Sequence, residues 1–167
     1  MFTKITSFDP KILKTEEKVR DWCASDVCRV YGKNWSCPPN CGDLDSCLEK
    51  MHSYEHGILL ETTGKILGKF DMAGCLAVEK KHLKNFYDYC DKLRDSGADA
   101  LYLGAGGCRV CKKCAWPEPC RFPEKCTPSM EGYGLLIKDV CEAVGTNYSY
   151  GDKTITYFSC VLYNGEI

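Results

Sequence analysis

Two cysteine-rich segments constrain this chain more than any other feature of its sequence. Fourteen of its 167 residues are cysteine, and a share of about 8% is the level at which cysteine content alone becomes informative. Nine of the fourteen lie in two segments, 23–41 and 108–126. The opening residues, MFTKITSFDPKILK, lack an apolar run long enough for a secretory signal. We therefore expect the protein in the reducing cytoplasm, where stable disulfides are rare. Metal binding is therefore the leading interpretation of the cysteines.

Composition bounds the class of protein. A hydrophobic content of 44% and a charged content of 27% are those of a soluble globular chain. The length fits one domain, residues 1–167. The formal net charge of -1 gives no overall field that would attract nucleic acid or an acidic membrane, and no apolar run approaches the roughly 18 residues of a membrane span. We expect a cytoplasmic protein without nucleic-acid or membrane partners, and its oligomeric state stays open.

The second cysteine-rich segment, GGCRVCKKCAWPEPCRFPEKC, carries the sharper pattern. Cys108, Cys111 and Cys114 are each separated by two residues, as in the C-x2-C-x2-C-x3-C-P run of bacterial ferredoxins. Here the next cysteine, Cys120, follows after five residues instead of three. Cys120 is then the fourth ligand of a [4Fe-4S] cluster or a donor to a second cluster, and Cys126 is a further candidate. Basic residues interleave with these thiols and would compensate the charge of an anionic cluster, although a solvated basic loop explains any one of them equally well.

Zinc is the competing interpretation of the same segment. A four-thiolate zinc site usually uses two separated C-x2-C pairs. Cys111, Cys114, Cys120 and Cys126 would supply four thiolates, but that set leaves Cys108 without a role. The sequence therefore favours iron–sulfur over zinc and keeps zinc as the alternative cofactor.

The first segment, Cys23-x4-Cys28-x8-Cys37-x3-Cys41, fits no established ligand spacing. Its Cys37-Pro38 pair resembles the Cys-Pro of two-cluster ferredoxins, where that cysteine ligates the other cluster. We expect Cys23, Cys28, Cys37 and Cys41 to hold a second cluster, with an exchange of ligands between the two sites left open. One cluster remains the alternative to two.

The other five cysteines look like core residues. They either share the apolar stripe of a predicted helix or lie in apolar surroundings, and buried cysteine behaves as a small hydrophobe. These are Cys47, Cys75, Cys90, Cys141 and Cys160.

Hydrophobic periodicity gives a coarse fold. Helices are predicted over about 16–22, after the cap Asp43, over about 76–96, and from the cap Ser129 to Gly145. Strands are predicted at 56–62, stopped by Gly64, at 100–103, and in a hairpin that starts at NYSY and continues through TITYFSCVLY. The predicted class is α+β or α/β, with two layers, helices packed on one mixed sheet, and ferredoxin-like βαβ elements.

Two blocks of sequence carry a resemblance to a known family. CRVYGKNWSCPP, together with GGCRVCKKC and PCRFPEKCTPSMEGYG, is similar to the small, cysteine-rich predicted metal-binding proteins grouped as a domain of unknown function. The resemblance runs from about Val19 to the final strand. It implies metal binding, with iron–sulfur as the leading form, and implies little about reaction or partner. The cysteines that match the family pattern best are Cys23, Cys28, Cys37, Cys108, Cys111, Cys114 and Cys120.

Three functional hypotheses follow from these patterns. The first is a small electron carrier or redox accessory protein that binds one or two [4Fe-4S] clusters and works with a redox partner protein. This role is favoured over that of an enzyme because no nucleotide-binding, zinc-protease or nucleophile-elbow motif is present. The second is a zinc-stabilised structural or interaction module. The third is a cluster-dependent enzyme or maturation factor in which one iron lacks a fourth protein ligand.

Overall fold

A four-stranded sheet forms the centre of the protein, and the computed structural model describes residues 1–166. The strands are β1 (Lys4–Phe8), β2 (His56–Lys65), β3 (Ala100–Leu103) and β4 (Thr154–Tyr163). The helices are α1 (Glu17–Ala24), α2 (Leu44–His52), α3 (Met72–Asp95) and α4 (Ile137–Val144). Short 3-10 turns lie at Pro10–Ile12, Pro123–Lys125 and Glu131–Tyr133. The fold is therefore α+β.

The sheet has the order β1-β2-β4-β3, and each of its three pairings is antiparallel. The expectation of a mixed sheet was therefore wrong. Because β2 and β3 both run antiparallel to β4, they point in the same direction with β4 between them. Helix α3 connects these two parallel, non-adjacent strands, which gives one split βαβ unit.

Helices cover both faces of the sheet, so the expected two-layer arrangement was also wrong. On β2, Leu59 packs in one hydrophobic cluster while Ile58 and Leu60 pack in another. Successive side chains of a strand point to opposite faces, so the two clusters lie on opposite sides. Helix α3 contributes Phe86, among others, to one cluster, and α2 and α4 contribute residues such as Met51 to the other. The sheet is the middle of three layers.

Local signals placed several elements correctly. Asp43 caps α2 by accepting a hydrogen bond from Ser46 N at 2.8 Å, and β3 occupies the expected residues 100–103. Strand β2 continues through Gly64 to Lys65, although a stop at Gly64 was expected. A Cβ at Gly64 would clash with Val78 of α3, so this glycine allows close packing of helix on strand.

Two further predictions were wrong in extent. The helix expected from Ser129 divides into a 3-10 turn and α4, because Gly134 adopts a left-handed φ of 78° between them. Gly145 ends α4 as expected, with a φ of 73°. The C-terminal hairpin is a single strand, β4, and the segment 147–150 is not in a strand. In the part of the chain that the structure describes, no helix is both long enough and apolar enough to cross a membrane.

Candidate metal centre

The segment 105–128 is a loop whose two ends are joined beside the sheet. Gly104, directly after β3, donates its N–H to Pro128 O at 2.8 Å, and its own carbonyl accepts from Met130 N at 3.1 Å. These two hydrogen bonds lie on either side of Ser129, which forms an isolated parallel bridge with Gly104. This neck closes the loop at its base, so its five cysteines are gathered over one end of the sheet.

Five thiols of this loop line one small cavity of about 20 Å³. Asn34 and Trp35 from the first cysteine-rich segment complete its wall. The sequence-predicted residues are therefore brought together, with Cys126 among them. They are Cys108, Cys111, Cys114, Cys120 and Cys126.

Cys108 and Cys126 interact directly. The Cys126 thiol donates a hydrogen bond to Cys108, which lowers the pKa of Cys108 to about 5 and raises the pKa of Cys126. The backbone N–H groups of Thr127 and Val110 also donate to Cys108 and lower its pKa, against the opposing effect of burial. The loop thus stabilises a thiolate at Cys108, and thiolate is the form that binds metal.

Helix α3 anchors this loop through Tyr87. The Tyr87 hydroxyl accepts a hydrogen bond from Arg109 N at 2.7 Å and lies 3.0 Å from Thr127 Oγ1. Both contacts lie next to cysteines of the loop, at Cys108 and Cys126. A single half-buried phenol therefore positions both ends of the thiol-bearing segment.

The first cysteine-rich segment surrounds a much larger space. Cys23 at the end of α1 and the loop residues Cys28 and Cys37 line a cavity of about 510 Å³. Glu131 also lines it. Burial, followed by the Glu131 charge, raises the pKa of Cys23, and burial raises the pKa of Glu131. The structure thus brings three of the four predicted cysteines to one cavity.

Cys41 points elsewhere. Its Sγ donates to Gly132 O at 3.3 Å, and Cys47 Sγ donates to Cys41 O at 3.6 Å. The interaction between the two neighbouring thiols raises the pKa of Cys41 and lowers the pKa of Cys47 to about 7. Arg20 Nη2 lies 3.5 Å from Cys47 Sγ and donates to Gly42 O at 2.8 Å. Cys41 therefore joins a thiol pair at the edge of the core rather than the cavity of the other three.

The two cysteine loops touch each other. Ser36 is fully buried, and its Oγ accepts a hydrogen bond from Cys108 N at 2.9 Å. Opposite Ser36 and Cys37 lies Gly107, where a Cβ would stand 3.1 Å from Cys37 Sγ. The two sets of thiols are thus adjacent, separated at this point by the Ser36–Cys37 and Gly107–Cys108 backbones.

Two tryptophans also join the two cysteine loops. The rings of Trp35 and Trp116 lie 5.4 Å apart. Trp35 Nε1 donates to Glu118 O at 2.9 Å, and Trp116 Nε1 donates to Gly32 O, so each indole bonds to the opposite loop. The pair joins the two loops and packs beside the thiols.

A basic cleft of about 800 Å³ runs between the loops. Cys28, Cys108, Cys111 and Cys114 reach it from both sides. Five cationic side chains also line it, and two of them form ion pairs outside it, Lys33 with Asp26 at 2.9 Å and Arg109 with Glu79 at 3.3 Å. The cations are Arg29, Lys33, Arg109, Lys112 and Lys113.

Four of the five cysteines predicted to be core residues are buried. Cys47, Cys90, Cys141 and Cys160 are buried, while Cys75 is partly exposed. Burial raises the pKa of Cys90 and of Cys141 to about 12. Apart from Cys47, whose thiol pairs with Cys41, these residues behave as small hydrophobes.

Pattern reasoning missed Glu131, Ser36 and Tyr87. Glu131 lies within the PSMEGYG block, but a lone glutamate gave no spacing signal. In residues 1–166, no group of three or more His, Cys, Asp or Glu side chains could hold a metal ion as it stands. The donor chemistry nevertheless fits a soft metal, since thiols dominate both sites.

Fold and site together define a small α+β protein that gathers thiols in two adjacent loops beside one end of a sheet. The model of the family described as "Predicted metal-binding protein (DUF2284)" matches residues 6–163. The chain belongs to that family. No curated protein and no solved structure matches the chain significantly.

Proposed function

We propose that the protein binds one or two [4Fe-4S] clusters and works as a small electron-transfer or redox accessory protein. The observation that carries the proposal is the convergence of Cys108, Cys111, Cys114, Cys120 and Cys126 on one small cavity. Cysteine thiolates are the usual ligands of such clusters. When bound, a cluster supplies a centre that accepts and releases one electron.

The surroundings support a charged, shielded centre. The cations of the basic cleft lie beside the thiols, and positive charge near a cluster stabilises its reduced form. Trp35 lines the thiol cavity, and its contact with Trp116 limits the access of water from that side. The basic cleft also offers an acidic redox partner a surface of complementary charge.

Zinc is the second candidate, and one observation favours it. Cys108 and Cys126 are close enough to share a hydrogen bond. Thiolates that share one zinc ion lie side by side, since each stands at about 2.3 Å from the metal. The site would then be structural, and the protein an interaction module.

Metal analysis separates the two candidates. The protein is purified without oxygen, and iron, acid-labile sulfide and zinc are measured together with visible absorbance. We expect iron and sulfide near about four or about eight per chain, with broad visible absorbance. Zinc at one or two equivalents in a colourless protein would contradict the iron–sulfur proposal.

A matched pair of variants tests the ligand set. Cys111→Ala removes a thiol of the small cavity, whereas Cys90→Ala removes a buried thiol of the α3 cluster. We expect Cys111→Ala to lose metal and Cys90→Ala to keep it with a lower melting temperature. Equal metal content in both variants would exclude Cys111 from the site.

A further inference from the structure

The cavity of the first cysteine-rich segment has the dimensions of a small-molecule site. Its volume of about 510 Å³ lies within the range of about 300–1,000 Å³ that is typical of ligand pockets. Helix α1 and the loop that follows it form most of the wall, and Gly106 and Gly107 line the cavity from the other cysteine loop. A molecule in this cavity would therefore lie beside the backbone that leads to Cys108.

The walls of this cavity are mostly apolar. Val19 is buried, whereas Trp22 is 59% exposed and Val27 is 84% exposed. Val30 and Tyr31 continue the wall. Large apolar side chains that stay exposed around a concave site are typical of binding surfaces. The apolar body of an organic ligand would cover them.

The cavity carries one charged group. Among the residues of 1–166 that line it, Glu131 is the only one with an acidic or basic side chain. Burial raises the pKa of Glu131, and the hydrogen bond that opposes this effect comes from its own backbone. A carboxylate in mostly apolar surroundings is costly unless a cation pairs with it. Glu131 therefore needs a positive charge close by.

The protein itself does not supply that charge. None of the ion pairs formed within residues 1–166 includes Glu131. Arg20 of α1 is engaged elsewhere, because its guanidinium donates to Gly42 O at 2.8 Å. The carboxylate is thus left for a ligand to neutralise.

Glu131 also borders a smaller cavity of about 250 Å³, which supplies no cation either. The other acidic side chain there, Glu79, is already paired with Arg109 at 3.3 Å. Within the described residues, neither cavity is lined by a lysine, arginine or histidine. The larger cavity has the volume for a ligand, and the smaller one falls below the usual range.

We propose that the larger cavity binds a small organic cation, an ammonium group on an apolar or aromatic body, with the ammonium group at Glu131. The carboxylate accepts N–H bonds from the ammonium group, and the two charges are complementary. Trp22 and Tyr31 suit the same ligand, because the face of an aromatic ring attracts cations as well as apolar groups. This inference goes beyond the proposed function, since it needs no metal in the cavity and holds whether or not iron is bound by the other loop.

The charge of the ligand is tested by equilibrium dialysis of the full chain with radiolabelled phenethylamine, and in parallel with radiolabelled phenethyl alcohol. The two molecules share an aromatic body, but only the amine is a cation. We expect phenethylamine to bind and the alcohol to bind about tenfold more weakly or less, because it lacks charge-assisted hydrogen bonds. Equal affinity for both, or no binding of phenethylamine, would overturn the inference.

The role of Glu131 is tested with Glu131→Gln, which keeps the shape of the side chain and removes its charge. We expect the affinity for phenethylamine to fall by about tenfold and the affinity for phenethyl alcohol to stay unchanged. Glu49→Gln is the matched control, because Glu49 is exposed on α2 and does not line the cavity. An unchanged affinity for phenethylamine in Glu131→Gln, at an unchanged melting temperature, would contradict the inference.

A second pair of variants shows which of the two cavities is occupied. Trp22 lines the larger cavity, whereas Tyr148 lines the smaller one and is 53% exposed. We expect Trp22→Ala to weaken the binding of phenethylamine by about tenfold and Tyr148→Ala to leave it unchanged. The reverse result would assign the ligand to the smaller cavity and overturn the inference.

Iron and sulfide content, measured in the same samples, separates this inference from the proposed function. A protein that holds iron but does not bind phenethylamine would overturn the inference alone. A protein without iron that binds phenethylamine at Glu131 would overturn the iron–sulfur proposal alone.

Discussion

The Oγ atom of Ser36 accepts a hydrogen bond from the backbone N–H of Cys108 at 2.9 Å. The same hydroxyl donates to Asn34 Oδ1 at 2.8 Å. One buried serine therefore joins the two cysteine loops, through a contact between residues that are 72 positions apart in the chain. The position of Cys108 depends on this contact as well as on its own loop.

Removal of the Ser36 hydroxyl should weaken both loops. Ser36→Ala leaves the Cys108 N–H without its partner in a buried site, which costs about 1–3 kcal/mol. We expect a lower melting temperature and a faster loss of metal to a chelator. Ser53→Ala is the control, since the Ser53 hydroxyl bonds only to Lys50 O within α2 and its neighbourhood is exposed. Identical chelation rates in the two variants would show that Ser36 does not support the site.

A side chain at Gly107 should loosen the contact between the two loops. A Cβ there would lie 3.1 Å from Cys37 Sγ and 3.3 Å from Ser36 Oγ, so in Gly107→Ala these two side chains must shift by a few tenths of an ångström. We expect lower metal content at both thiol sets and a lower melting temperature. Gly68→Ala is the matched control, because a Cβ there meets nothing within 4 Å. Full metal content in Gly107→Ala would mean that the loops can separate without cost.

Elements with strong local signals could be predicted from the sequence. Asp43 has the cap chemistry that begins α2, and the apolar run at Ala100–Leu103 is long enough for only one short strand. The number of layers was predicted wrongly, although the sequence carries a signal for it. Residues 58–60 are all apolar, and successive side chains of a strand point to opposite faces, so Leu59 packs in one cluster and Leu60 in the other. Such a continuous apolar strand is typical of a sheet that is covered on both faces.

The two groups of cysteines show how far their arrangement can be predicted from the sequence. The C-x2-C-x2-C spacing brought Cys108, Cys111 and Cys114 together by local geometry, and they line one cavity. Cys126 and Cys41 depend on distant contacts, Cys126 on the neck at Gly104 and Cys41 on the carbonyl of Gly132. Spacing along the chain carries no information about such contacts, so the roles of these two cysteines could not be read from the sequence.

Tyr87 should control the rigidity of the second loop. Tyr87→Phe removes the acceptor of the Arg109 N–H and the contact with Thr127 Oγ1. We expect faster hydrogen exchange in the segment 108–127 and a shifted reduction potential of any cluster bound there. The helix itself should remain intact, because the ring stays in place.

Tyr89→Phe on the same helix is the control for Tyr87→Phe. The Tyr89 ring packs against Phe2, with centroids 6.1 Å apart, and lies away from the loop. Equal exchange and equal potential in the two variants would contradict a positioning role for Tyr87.

A buried histidine should make stability depend on pH. His82 lies between Thr62 Oγ1 at 2.9 Å and Ser159 Oγ at 2.8 Å, and Ser159 Oγ also accepts from Ala105 N at 3.1 Å. Burial lowers the pKa of His82 from 6.5 to about 4. Between these values the unfolded chain binds more protons, so stability is fully present above pH 6.5 and falls as the pH decreases.

The size of this effect can be measured by urea unfolding at several pH values. The free energy of unfolding should fall by about 2 kcal/mol from His82 alone between about pH 7 and about pH 5. His82→Gln should flatten the profile over that window, whereas His56→Gln should not, because His56 is exposed and packs only beside Tyr163, with ring centroids 5.2 Å apart. A profile equally steep in His82→Gln would assign the pH dependence to other groups, because a glutamine side chain cannot be protonated in this range.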